Sequence, residues 1–152
     1  MKSFLLSLLF FIFLSSAFSQ NSLKSKEISI NGFRNPSIGL EYRQQLLSVH
    51  AGYYVTNFTS GVTTAFLKAG VTCWFFPIDK KPIPSSFYAG ASYMRGISKE
   101  YKNENAAGLE AGFRWMIWKG INIRLGGIAV IAKGKDVKFN PTPGISYSFK
   151  LQ

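Results

Sequence analysis

At 152 residues the chain has the length of one domain. Its single cysteine, Cys73, excludes an internal disulfide and a cysteine metal cluster. The formal charge of +11 would suit a nucleic-acid partner, but the opening segment marks the chain for export, so no nucleic acid is expected.

Lys2 supplies a positive start, Phe4 to Leu14 is apolar except at Ser7, and Ala17-Phe18-Ser19 offers small residues for cleavage. Residues 1–19 therefore read as a signal peptide and 20–152 as the mature domain. The apolar run falls short of the roughly 20 residues a spanning helix needs. Cleavage removes one of the 18 basic residues, Lys2, leaving 17 against 7 acidic residues, a balance of +10. Cys73 lies far from the cleavage point, so it is not a lipoprotein cysteine and reads as a small apolar residue on a strand face.

Beyond residue 20 the dominant pattern is alternation at period two. Eight strands are expected, over about Lys24–Asn31, Ser37–Gln44, Leu46–Thr56, Val62–Phe76, Ser85–Gly96, Ala106–Trp118, Ile121–Ala132 and Gly144–Leu151. In the second, Ile38, Leu40 and Tyr42 oppose Gly39, Glu41 and Arg43. In the sixth, Leu109, Ala111, Phe113, Trp115 and Ile117 oppose Glu110, Gly112, Arg114 and Met116. The seventh and eighth repeat the division, with Ile121, Ile123 and Leu125, then Ile145, Tyr147, Phe149 and Leu151, on the apolar side.

Alternation fixes faces and not the solvent each face meets. A soluble ring would turn the apolar face inward, and a membrane barrel would turn it outward. Two features favour the membrane form. The polar faces mix glycine with both signs of charge, which suits a narrow interior, and several strands reach the roughly 9–11 residues that cross a bilayer at a tilt. Links are short at Gln45 and Lys119-Gly120, on the side of the termini. Pro77 to Pro84 is long and proline-rich on that same side. Opposite them lie Gly32–Pro36, Asn57–Gly61, Ile97–Asn105 and Lys133–Pro143. Asn57-Phe58-Thr59 also matches a glycosylation acceptor, which matters only in a eukaryotic secretory path.

The mature chain resembles the small eight-stranded outer-membrane β-barrel families of Gram-negative bacteria. The most specific part is Thr142-Pro143-Gly144-Ile145-Ser146-Tyr147-Ser148-Phe149, similar to the terminal signal polar-x-Gly-x-x-aromatic-x-aromatic. Thr142 is small for that motif, and Lys150-Leu151-Gln152 follow the usual terminal aromatic. The resemblance implies an all-β, eight-stranded, antiparallel, up-and-down transmembrane barrel in the outer membrane. It further implies that the barrel-assembly machinery reads Gly144, Tyr147 and Phe149 during biogenesis. Outer-membrane lipids would surround the wall, and lipopolysaccharide phosphates would meet loop lysines among Lys80, Lys81, Lys99, Lys102, Lys133, Lys135 and Lys138.

In a barrel of eight strands side chains just fill the interior. The register points Glu27, Glu41, Arg43, Lys68, Glu110, Arg114, Arg124 and Lys150 into it, where each charge needs a partner. The expectation is a plugged barrel with a structural or interaction role rather than a general porin. No metal or cofactor is called for. An enzyme is not expected either. Ser48 and His50 share a face, with Glu41 or Glu110 as a possible acid. Their order is Ser-x-His, however, where the lipid A deacylases that the barrel resembles carry His-x-Ser, and the pair points inward. The alternative to the membrane form is a soluble lipocalin-like barrel holding an apolar ligand in the periplasm.

Overall fold

The computed structural model describes residues 25–33, 37–59 and 62–151, so the segment read as a signal peptide lies outside the described residues. Nine antiparallel strands follow in order: β1 (Lys26–Phe33), β2 (Ile38–Gln44), β3 (Leu47–Thr59), β4 (Val62–Phe75), β5 (Ser86–Gly96), β6 (Asn105–Trp118), β7 (Ile121–Ala132), β8 (Lys138–Pro141) and β9 (Gly144–Leu151). Each strand from β1 to β7 pairs with the next in sequence. Strand β9 then joins β7 to β1, closing the sheet into a ring with up-and-down order. No α-helix occurs among the described residues.

Lys138–Pro141 was expected to be loop and is strand. Its cause is visible in the register. Strand β7 pairs with β9 from Ile121↔Tyr147 to Arg124↔Gly144, and with β8 from Gly127↔Pro141 to Val130↔Lys138. Both sets follow one unbroken register, so β8 and β9 form a single strand interrupted at Thr142-Pro143. Thr142 still donates its backbone N–H to Gly126 O at 2.8 Å, whereas Pro143 has no N–H to give. The ring therefore has eight walls, as the alternation predicts, but the last wall begins earlier. Two other strands also run further than expected, β1 to Phe33 and β3 to Thr59.

The turns at the end that holds the described strand start at Lys26 are tight. Gln45 adopts φ 57° in the β2–β3 link. Lys119 and Gly120 adopt φ 34° and 99°, the double positive φ that lets a two-residue hairpin follow the strands' twist. The exception is residues 77–85, which fold across the mouth. Ile83, Pro84 and Ser85 are buried there, and Ser85 Oγ accepts the Met116 N–H at 3.0 Å. At the opposite end one 3-10 turn, Lys99–Tyr101, folds back over Gly96. A Cβ at Gly96 would run into the Tyr101 carbonyl, so only glycine fits that crossing.

Burial assigns the two faces unambiguously. Among the described strands the outward positions carry only two charges, Lys26 and Arg95, each at a strand end. Uncharged polar residues on that face, Gln44, Asn57, Thr63 and Asn105, also stand near strand ends, and the remainder is apolar and mostly exposed, as at Leu40, Val49, Leu67, Leu109, Trp115 and Leu125. The inward positions hold the buried Glu, Arg, Lys, Ser, Thr and Asn side chains.

Candidate functional site

The enclosed interior has three levels. Nearest the mouth closed by residues 77–85, Glu27 of β1 takes Arg43 Nη2 on one oxygen (2.9 Å) and Arg114 Nη1 on the other (2.5 Å). Arg114 also donates to Pro84 O at 3.0 Å, tying the cap to the network. The Trp74 ring of β4 lies among three guanidinium groups, with Arg114, Arg124 and Arg43 at 4.3, 5.1 and 5.5 Å from its centroid. Cations over an indole face are stabilised by the ring quadrupole, and more so where water is excluded. Several guanidinium nitrogens of these arginines have no hydrogen-bond acceptor, which leaves the ring as their main compensation.

At the middle level Glu41 accepts Arg124 Nη1 (2.6 Å), Ser48 Oγ (2.5 Å) and Asn31 Nδ2 (3.4 Å). Trp74 Nε1 donates to Ser48 Oγ at 2.8 Å and so connects this level to the first. Across the interior Lys68 meets Glu110 at 2.6 Å. His50 has Ser92 Oγ 3.0 Å from Nε2, Thr72 Oγ1 3.2 Å from Nδ1, and Glu110 at 3.8 Å. The third level is apolar: Tyr54, Phe66, Met94, Tyr101, Ile128 and Val130 pack together, with Phe58 against them. The space left within the charged level is about 10 Å³, room for about one water and no more.

Seven of the eight charged residues assigned to the interior are brought together: Glu27, Glu41, Arg43, Lys68, Glu110, Arg114 and Arg124. Lys150 is the correction. It has the inward parity of Ser146 and Ser148, but it stands at the end of β9 and is exposed. Glu27, its partner across β1, is already engaged by two arginines. Gly144 opens β9 on the inward side, while Tyr147 and Phe149 lie outward with ring centroids 4.6 Å apart.

Ser48 and His50 share a face without forming a pair. Ser48 is held by Glu41 and Trp74, and His50 by Ser92 and Thr72. Ser48 and His50 are therefore not matched as nucleophile and base. No group of three or more His, Cys, Asp or Glu able to hold a metal occurs among the described residues. Trp74 and His50 were not assigned to the network from sequence, although both fall on the inward parity of their strands. Extending the alternation of β4 from Lys68 through Thr72 to Trp74 would have found the first.

Outside the strands, Asp79 organises the cap. It accepts Ser85 Oγ at 2.7 Å and the backbone N–H groups of Lys81 and Ser85, with Lys81 Nζ at 3.6 Å. Slight burial raises its carboxyl pKa, but the bonds from Ser85 and Lys81 outweigh this and hold it below the usual aspartate value.

Comparison with known proteins finds no matching family model, no matching curated protein and no matching solved structure.

Proposed function

We propose that the chain is an integral outer-membrane β-barrel with a closed interior and a structural or interaction role in the cell envelope. One observation carries this reading: the ring is inverted relative to a soluble protein, with charges inside and apolar side chains outside. A soluble monomer rarely exposes a contiguous apolar patch beyond a few hundred Å², because such a surface drives association. Here the apolar positions run around the ring, and a hydrocarbon solvent is the environment that stabilises them. Strands β3 to β7 run 11 to 14 residues, enough for the roughly 9–11 needed to cross at a tilt. Outward aromatics also gather at two levels. Tyr42, Phe75, Phe87, Phe113, Tyr147 and Phe149 lie toward the capped end, and Tyr53 and Tyr93 toward the other. Interfacial girdles take this form.

The packed interior favours a plug over a pore. Charged residues and a space of about 10 Å³ also leave no apolar pocket of the lipocalin kind among the described residues. At the uncapped end Lys102, Lys133, Lys135 and Lys138 outnumber the exposed Glu100, Glu104 and Asp136, a net basic excess suited to lipopolysaccharide phosphates. No catalytic role is included in the reading.

The test is electrophoretic mobility of the detergent-extracted membrane fraction, boiled against unboiled. Closed ladders of inter-strand hydrogen bonds survive in detergent until heated, so a heat-dependent shift of a membrane-retained band is expected. A protein that leaves membranes without detergent and shows no shift would overturn the reading. A large, steady conductance in planar bilayers would overturn the closed interior alone.

A further inference from the structure

One groove lies outside the interior. It has a volume of about 610 Å³ and crosses the capped rim between the β6–β7 turn, the end of β9 and the cap. Its floor combines outward residues of the wall, Ile117, Trp118 and Tyr147, with Ile83 of the cap. The groove is thus continuous with the apolar band. Three of its lining residues are lysines, Lys81, Lys119 and Lys150, and none is acidic. Lys119 Nζ stands 5.3 Å from the Trp118 ring, at the edge of the apolar floor. Lys150, displaced from the interior, projects at the same rim. Of the acidic groups beside it, Asp79 is committed to Ser85 and Lys81, and Glu27, which faces Lys150 across the β1–β9 ladder, to Arg43 and Arg114.

An apolar trough opening onto the band and edged by cations only matches an amphiphile with one anionic head. We propose that this groove seats an anionic phospholipid, its phosphodiester against Lys119 and Lys150 and an acyl chain along Ile117, Trp118 and Tyr147. A zwitterionic lipid fits less well, because no lining carboxylate is present to take its ammonium group. This site rests on the membrane-spanning reading, since only a lipid-embedded wall brings the groove to the level of headgroups. Lysines near a charged surface contribute about five-fold each to lipid affinity. Lys81 is partly occupied, donating to Met116 O at 2.6 Å, so the proposal assigns the headgroup to the other two.

The experiment uses the full mature chain in phosphatidylcholine vesicles, with Trp115→Phe so that Trp118 is the one exposed tryptophan among the described residues; Trp74 is fully buried. Brominated phosphatidylglycerol and brominated phosphatidylcholine are compared as quenchers at equal mole fraction. Stronger quenching by the anionic lipid is expected, corresponding to a preference of about five-fold or more. Lys119→Gln with Lys150→Gln should erase the preference, and Lys133→Gln with Lys138→Gln at the opposite rim should keep it. Equal quenching by the two lipids, or a preference that survives the first double variant, overturns the site. Flotation with vesicles and the heat-dependent gel shift are recorded for every variant. If the double variant fails these controls, Lys150→Gln alone, at an exposed strand end, must reduce the preference or the site is overturned. A parent protein that fails to float removes the spanning reading itself, which separates the two failures.

Discussion

The two halves of the interior are built on different physics. Toward the cap, Glu27, Glu41, Arg43, Arg114 and Arg124 are held by directional bonds around Trp74. Toward the other end, Tyr54, Phe66, Met94, Tyr101 and Ile128 fill the same cylinder chiefly by contact, with Asn140 Nδ2 donating to the Tyr54 hydroxyl at 3.3 Å. Apolar packing tolerates exchange among side chains of similar volume, whereas a buried charge deprived of its partner has nowhere to turn. The polar half therefore fixes which strand faces which, and the apolar half closes the lumen with less demand on identity.

That contrast predicts unequal sensitivity. Glu27→Ala should be the most damaging change, because it leaves Arg43 and Arg114 buried without a carboxylate. The expected cost is about 3–5 kcal/mol, read as a lower urea midpoint for loss of the unboiled gel band. In the apolar half Ile128→Val should cost only about 0.5–1.5 kcal/mol by the same assay. If the two variants unfold at the same urea concentration, the division of labour is wrong. A sharper form removes both partners of the Lys68–Glu110 pair in the middle level. Lys68→Met alone and Glu110→Leu alone should each destabilise strongly, while the double variant recovers most of the loss, since a paired apolar replacement strands no charge.

Between these extremes lies a steric prediction. A Cβ at Gly112 would lie 2.5 Å from Leu125 O and 2.7 Å from the Tyr88 hydroxyl, and backbone cannot yield there as a flexible side chain can. Gly112→Ala should cost about 1–3 kcal/mol by overpacking. A third collision, with Gly126 Cα at 2.7 Å, is also with backbone. Tyr88→Phe would remove one of the three, so adding it to Gly112→Ala should restore only part of the stability in the same urea titration.

Much of this arrangement is legible because a strand has period two. Once one face is taken as interior, every charge of matching parity goes with it, as Glu41 with Arg43 and Glu110 with Arg114. Parity has no knowledge of where a strand ends, which is why Lys150 was placed inside and stands at the rim. It is equally silent about partners. Glu27 meets Arg114, 87 residues away, through the lumen rather than along a ladder, and such pairings depend on how the whole ring is sheared. Pro141 and Pro143 hid the start of the last wall, because two prolines in three residues read as loop. The structure shows that the ladder breaks only at Thr142-Pro143, where Thr142 still donates to Gly126 O. The apolar half of the lumen was hidden for a related reason: Phe66 and Ile128 sit beside apolar outward neighbours, Ala65 and Leu67, Gly127 and Ala129, and alternation no longer separates the faces there.

The smallest expected effect concerns the cap, which Arg114 joins to the polar half through Pro84 O. Asp79 has a folded pKa below its ordinary 3.8, because the bonds from Ser85 and Lys81 favour the carboxylate. Protons therefore bind more readily once the cap is released. The stability that Asp79 gives the cap is fully present above pH ~4 and is lost as pH falls through the lower, folded value. Solvent screens this exposed carboxyl, so the effect is local. Hydrogen exchange at the Ser85 amide, which Asp79 accepts, should accelerate in acid relative to the Glu27–Arg114 level. In Asp79→Asn that acid-dependent acceleration should vanish, with Ser85 already less protected at neutral pH. Identical profiles in the two proteins would mean that Arg114 through Pro84 O, and not Asp79, holds the cap, making the closed mouth a direct outgrowth of the charged interior.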